Sequence, residues 1–192
     1  DFEGVLKQKA PREDMIENID IGGPTLIRSS AKNYKDVLIV TDPEDYEEVL
    51  KRLKEGEVEE DYRMELAMKA FSNTAYYDAM ISRYFQEETG KKSKYFAIGM
   101  KEEGVLRYGE NPKQKAAHYI DPYVDSYLSD FEILQGKELS FNNLNDLNTC
   151  VALCGELHKQ GGIYAVGLKH ATPCGAAKGN SVYDAYEKCF RS

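Results

Sequence analysis

Ala165-Val166-Gly167-Leu168-Lys169-His170-Ala171-Thr172-Pro173-Cys174-Gly175 carries the reading on which the fold turns. An apolar run begins at Ile163, continues to Leu168, and gives way to two ionisable side chains and a Pro/Gly turn. This is the pattern of a buried strand ending at a loop. Helical periodicity flanks it, over residues 144–157 on one side and 182–190 on the other. Upstream, residues 95–98, 116–120 and 131–134 read as short extended segments separated by Gly, Pro, Asn and Asp.

Nearer the N-terminus the texture is helical. After a short apolar-poor start, Pro11 followed by Arg-Glu-Asp opens a helix carrying Met15, Ile16 and Ile19. Asp20-Ile21-Gly22-Gly23-Pro24 stops it, and residues 25–33 read as a second short helix. Asp36-Val37-Leu38-Ile39-Val40-Thr41 has the continuous apolar character of a buried strand. Asp42-Pro43-Glu44-Asp45 then starts a helix with Tyr46, Val49, Leu50 and Leu53 on one face. The strongest helical signal covers 59–85, where Ala67, Ala70, Phe71, Thr74, Tyr77, Ile81, Tyr84 and Phe85 recur at spacings of three and four. The polar stretch 86–93, with Gly90, sets the expected domain boundary, giving 1–90 and 91–192. The element order predicts an α/β fold with α/β layers in both halves.

Composition narrows the function classes. With 192 residues, 42% hydrophobic and 30% charged, the chain has the make-up of a globular protein of one large or two small domains. Its apolar runs fall far short of the roughly 20 residues of a membrane-spanning helix. A net charge of −8 opposes binding to a nucleic-acid backbone, whose affinity comes from Lys and Arg. Four cysteines, Cys150, Cys154, Cys174 and Cys189, with no sign of secretion, read as reduced thiols in the cytoplasm. The start at Asp1, with neither Met nor a signal segment, gives the expectation of a chain excised from something longer.

Several segments could carry chemistry. His170 suits proton movement near neutral pH, and the adjacent Lys169 suits polarising a carbonyl. A hydrogen-bonded loop histidine is the competing reading. Pro173-Cys174 matches half of a zinc-deaminase signature, but Thr172 and Ala177 stand where a Glu and a second Cys are needed, so no metal is assigned. Cys150, Cys154 and His158 share a helix face better read as half-buried packing than as a metal stripe. In Arg107-Tyr108-Gly109-Glu110-Asn111-Pro112 a guanidinium can fork onto a phosphate while Gly109 admits close backbone approach; a structured turn is the equal alternative. Asn142, Asn143, Asn145 and Asn148 crowd the start of a helix, beyond what one cap requires. Gly22-Gly23 before a helix offers N–H groups to an anion, with Lys32 one turn past Arg28.

Taken together, Asp20-Ile21-Gly22-Gly23-Pro24-Thr25 with Ala31-Lys32-Asn33, Arg107 to Pro112, Leu144-Asn145-Asp146-Leu147, and Lys169-His170 with Pro173-Cys174-Gly175 closely resemble the bifunctional AICAR transformylase/IMP cyclohydrolase family. The resemblance runs through nearly the whole chain. It implies the C-terminal part of a methylglyoxal-synthase-like cyclohydrolase domain over 1–90, followed by the start of a cytidine-deaminase-like, zinc-free transformylase domain over 91–192. It further implies a cytoplasmic homodimer of the full-length protein that acts on AICAR and FAICAR in purine biosynthesis, with 10-formyltetrahydrofolate as cosubstrate. In that pattern His170 takes the proton of the attacking amine and Lys169 assists. Arg107, Tyr108 and Gly109 contact the nucleotide, and Asn143 fixes its base. Asp20 and Lys32, beside the Gly22-Gly23 backbone, serve ring closure. Lys113 and Thr172 depart from residues the family often has, and the family's phosphate loop and most of the transformylase are missing, so both sites are expected to be incomplete. A module that only binds nucleotide or self-associates is the competing reading; it differs in whether turnover depends on His170.

Overall fold

The computed structural model describes residues 1–192. The backbone divides into two compact units, Asp1–Lys101 with Asp121–Val124, and Glu102–Ile120 with Asp125–Ser192. No helix is long and apolar enough to cross a membrane.

The first unit is built from helices α1 (Phe2–Lys7), α2 (Arg12–Glu17), α3 (Gly22–Lys32), α4 (Tyr46–Glu55) and α5 (Glu60–Thr89). The apolar-poor start is itself a helix: Asp1 caps α1 by accepting from Gly4 N at 3.2 Å. Its one aromatic, Phe2, is 1% exposed and meets Tyr77 and Tyr84 edge-on, within a cluster that includes Met15 and Met80. The central α5 runs 30 residues and ends at Gly90, whose φ of 64° is the left-handed C-cap that glycine adopts without a Cβ penalty. Ala67 and Ala70 are buried against Ala31 of α3. Small side chains at this crossing let the two helix backbones approach.

Two expectations for this unit are corrected. The run 36–41 forms no strand. A strand exists only where a neighbour completes its hydrogen-bond ladder, and none lies beside it. The segment instead sends Leu38 and Val40 to the Val49, Val58, Tyr62 and Leu66 cluster, and Ile39 to the alanine crossing. Layers of α/β type are therefore absent from residues 1–100. The face proposed for α4 is also largely outward: Val49 is buried, while Tyr46, Leu50 and Leu53 are about half exposed. Asp42 caps the preceding 3-10 turn by accepting from Glu44 N.

The second unit holds β1 (Lys101–Leu106) paired with β2 (Ala116–Ile120), then α6 (Phe141–His158), β3 (Ile163–Lys169), β4 (Thr172–Gly179) and α7 (Val182–Arg191). The spans read for β2, β3, α6 and α7 agree to within three residues, but 95–98 and 131–134 are not strands. Tyr95 and Phe96 are 85% and 87% exposed, with no ladder partner to hold them. The strand that does pair with β2 is Lys-Glu-Glu-Gly-Val-Leu, whose mostly exposed residues carry no alternation to reveal it.

β3 and β4 form an antiparallel hairpin from Ile163↔Gly179 to Lys169↔Thr172. The expected Pro/Gly turn is corrected: Pro173, Cys174 and Gly175 lie inside β4, and the turn is His170-Ala171. Gly167 pairs with Gly175 and Leu168 with Pro173, so Cys174 is the extra residue of a bulge. Proline is tolerated in β4 because both strands of a two-stranded sheet are edges. Helices α6 and α7 pack on this hairpin.

Glycine substitutions distinguish packing from propensity here. A Cβ at Gly179 would lie 2.7 Å from Ala185 Cα, backbone that cannot swing aside. Gly179→Ala is expected to cost about 1–3 kcal/mol by forcing α7 off β4. Gly155→Ala, in α6 with nothing within 4 Å of the new carbon, is expected to gain about 0.5–1 kcal/mol. Denaturant midpoints of the two variants should move in opposite directions.

Candidate functional site

The start of α6 organises the site. Ser140 and Asn143 make a capping box: Ser140 N donates to Asn143 Oδ1 at 3.0 Å, and Asn143 N donates to Ser140 Oγ at 3.3 Å. The carboxamide oxygen of Asn143 is thus used in capping, leaving its NH2 as the donor it can offer a ligand.

Immediately before α6, Arg107 N donates to Leu139 O at 2.8 Å and Phe141 N donates to Tyr108 O at 3.0 Å. The Arg107-Tyr108 backbone is therefore zipped to the helix start. Arg107 Nη2 donates to Tyr108 Oη at 3.2 Å, and its guanidinium carbon sits 4.9 Å from the ring centre. Hydrogen bonding from Ser140, then from Arg107, draws the Tyr108 phenol below its ordinary value. Gly109 is buried, donates to Gln114 O, and leaves no room for a side chain against Gln114. Asn142 Nδ2 donates to Glu110 O at 3.1 Å.

One helical turn further along, Asp146 Oδ1 accepts the Ala171 N–H at 2.5 Å. Lys169 and His170 are exposed at the hairpin tip. His170 and Ala171 have φ of 52° and 57°, two consecutive left-handed residues, neither glycine. Such backbone costs on the order of 1–3 kcal/mol per residue and is held only where its surroundings determine it. Asn142 and Asp146 are four residues apart on one face of α6, about 6 Å along the axis. Two motifs some sixty positions apart in sequence are thereby pinned to successive turns of one helix. Of the sequence candidates, this brings together Arg107, Tyr108, Gly109, Asn143, Lys169 and His170. Asp146 lay inside a quoted motif without a role, and nothing local set it apart from a carboxylate that simply favours a helix start.

The helical thiols are packing residues in this geometry. Cys150 Sγ lies 3.7 Å from Val166 O of β3. Burial, then the neighbouring Cys154, pushes the Cys150 thiol above its ordinary value, which disfavours the reactive thiolate. Cys174 is exposed. Iodoacetamide at about pH 8 is expected to label Cys174 first and Cys150 only slowly until denaturant is added. Peptide mass spectrometry reads the rates; equal rates would contradict this placement.

Beside these residues, a cleft of about 430 Å³ is lined by Leu106, His118, Phe131, Ile133, Leu139 and Leu144 among others. None of the sequence candidates lines it.

The remaining candidates lie in the first unit. Asp20 N donates to Tyr77 Oη at 2.7 Å, and Asp20 Oδ1 accepts from Gly23 N at 3.0 Å, capping α3. Gly22 and Gly23 therefore begin α3 rather than stop a helix. A Cβ on Gly23 would run into the Asp20 carboxylate, with Asp20 Cγ at 3.2 Å. Lys32 is exposed in the last turn of α3. The helix thus holds Asp20 and Lys32 on the order of 15 Å apart along its axis, so the two do not meet.

Residues 30–192 match the model of the AICARFT/IMPCHase bienzyme family. The chain belongs to this family. AICARFT/IMPCHase relatives align over its full length. It is 44% identical over 193 residues to the bifunctional purine biosynthesis protein PurH of Clostridioides difficile (strain 630), covering 100% of this chain and 38% of that protein. The PurH proteins of Thermoanaerobacter sp. (strain X514) and Bacillus cereus (strain 03BB102) are each 44% identical, covering 99% of this chain and 37% of theirs. The chain thus spans less than two fifths of the length of these AICARFT/IMPCHase relatives.

Proposed function

We propose that this chain is the central part of a bifunctional enzyme that formylates AICAR from 10-formyltetrahydrofolate and closes the product FAICAR to IMP. Residues 1–90 are the C-terminal part of a methylglyoxal-synthase-like cyclohydrolase domain. Residues 91–192 begin a cytidine-deaminase-like transformylase domain. Family membership supports this reading, and the observation that carries it is that α6 holds both motifs: Phe141 N donates to Tyr108 O, Asn142 donates to Glu110 O, and Asp146 accepts the Ala171 N–H beside His170.

In the first step the substrate amine attacks the formyl carbon, His170 takes the amine proton and relays it to N10 of the folate, and tetrahydrofolate leaves as the C–N10 bond breaks and the carbonyl re-forms. Lys169 stabilises charge on the carbonyl oxygen. Arg107 and Tyr108 hold the anionic nucleotide, and Gly109, packed against Gln114, shapes the turn that presents them. Asn143 donates its NH2 to the base. Asp20 and Lys32, beside the Gly22-Gly23 backbone, act in the water-releasing ring closure. The full-length protein works in the cytoplasm as a homodimer.

The test is product formation by the full-length chain that contains this segment. With AICAR and 10-formyltetrahydrofolate supplied, FAICAR and then IMP should appear. Uptake of AICAR without product would replace this reading with that of a binding module.

A further inference from the structure

We propose that Asp146 is a positioning residue that sets His170 for proton transfer by locking the left-handed turn beneath it. The inference rests on the formyl-transfer reading of His170 and adds a residue to it. In a two-residue hairpin turn with positive φ at both centres, the usual occupants are Gly, Asn and Asp. Here the centres are His170 and Ala171, which do not choose this shape on their own account. The ladder closes at Lys169↔Thr172, so the Ala171 N–H has no cross-strand partner. Asp146 Oδ1 supplies the missing acceptor at 2.5 Å. The other side-chain contact to the turn, Thr172 Oγ1 to His170 O, is longer at 3.4 Å.

Asp146 is itself well placed. It is half-buried in α6, one turn beyond Asn142, whose carboxamide holds Glu110 O, and three residues beyond the Ser140–Asn143 capping box. The position of the nucleotide-facing Arg107-Tyr108 segment is therefore relayed to the His170 turn through one rigid helical turn. A carboxylate near a helix N-terminus also favours the helix dipole, which is the purely structural role the test must separate.

Three variants of the full-length chain decide between them. Asp146→Asn keeps a carbonyl acceptor in place without charge; Asp146→Glu keeps the charge but moves the acceptor by one methylene; His170→Ala reports on the formyl-transfer reading itself. Formyl transfer is followed with AICAR varied. Asp146→Glu should lower kcat on the order of 10²-fold, as misplacement of a catalytic group by about an ångström does, with KM for AICAR within about twofold. Asp146→Asn should keep most of the activity. Selective 15N-alanine labelling should show the Ala171 amide protected from hydrogen exchange in the parent and in Asp146→Asn, and unprotected in Asp146→Glu.

Activity that follows charge instead, with Glu close to the parent and Asn impaired, overturns the proposal. So does a parent-like kcat in Asp146→Glu while His170→Ala is inactive. If His170→Ala remains active, the formyl-transfer reading fails, and the Ala171 exchange pattern shows separately whether Asp146 still locks the turn.

Discussion

Replacing His170 by alanine in the full-length chain is expected to lower formyl transfer by roughly 10²–10⁴-fold, the range a positioned acid or base contributes. The size follows from where His170 sits. It is exposed at a hairpin tip, packs into no core cluster, and its φ of 52° imposes the same left-handed backbone on either residue. Alanine therefore removes the proton acceptor with little else to change, and folding stability should move by no more than about 1 kcal/mol. Ring closure of FAICAR supplied directly should continue, because Asp20, Gly22, Gly23 and Lys32 belong to the other compact unit. Rates for both steps, measured in one preparation, check this. Formyl transfer close to the parent rate would remove His170 from the chemistry.

Leu66→Ala is expected to cost about 2–5 kcal/mol of stability, as truncation of a fully buried leucine does. Leu66 is 1% exposed on α5 and closes a cluster with Val49, Val58 and Tyr62, on which Leu38 and Val40 also pack. Removing its three outer carbons loses their transfer free energy and leaves a cavity that two helices and an extended segment would all have to move to fill. Leu50→Ala is the control: it lies on α4, one residue from Val49, but is 54% exposed, and should shift stability by no more than about 0.5 kcal/mol. Denaturant unfolding of both variants reads the difference. Equal midpoints would mean that Leu66 is not part of a packed core.

The contrast between these two leucines shows what periodicity conveys and what it does not. Of the eight α5 residues picked out by spacings of three and four, Ala67, Ala70, Thr74 and Tyr84 are at most 8% exposed, whereas Phe71 and Phe85 are 38% and 41% exposed. The same spacing put Leu50 beside Val49, yet the α4 face that reaches the core is only as wide as Val49. Apolar pattern marks a face that can be buried; the neighbour that buries it comes from elsewhere in the chain. The run 36–41 illustrates this, since its composition is that of a strand and its surroundings are helices. The polar β1 is the converse case, a strand made by its partner rather than by its own residues.

The site divides along the same line. Local chemistry sufficed to single out Lys169 with His170, Arg107 with Tyr108, the Asn-rich start of α6, and Gly22 with Gly23, because side-chain chemistry and glycine content are properties of short segments; Asp20 entered only through the resemblance to the family. Asp146 had no distinguishing local signal, as a carboxylate in the second turn of a helix ordinarily stabilises that helix and nothing more.

The sequence by itself determined the family, the helices with strong periodicity, and the residue types available for proton transfer and nucleotide contact. Only the tertiary structure decided that β3 and β4 form a hairpin, that His170 and Ala171 occupy its left-handed turn, and that α6 links this turn, held by Asp146, to Tyr108 and Glu110, held by Phe141 and Asn142. Hydrogen bonds between segments tens of residues apart depend on where the whole backbone brings donors and acceptors, and no local pattern encodes that meeting.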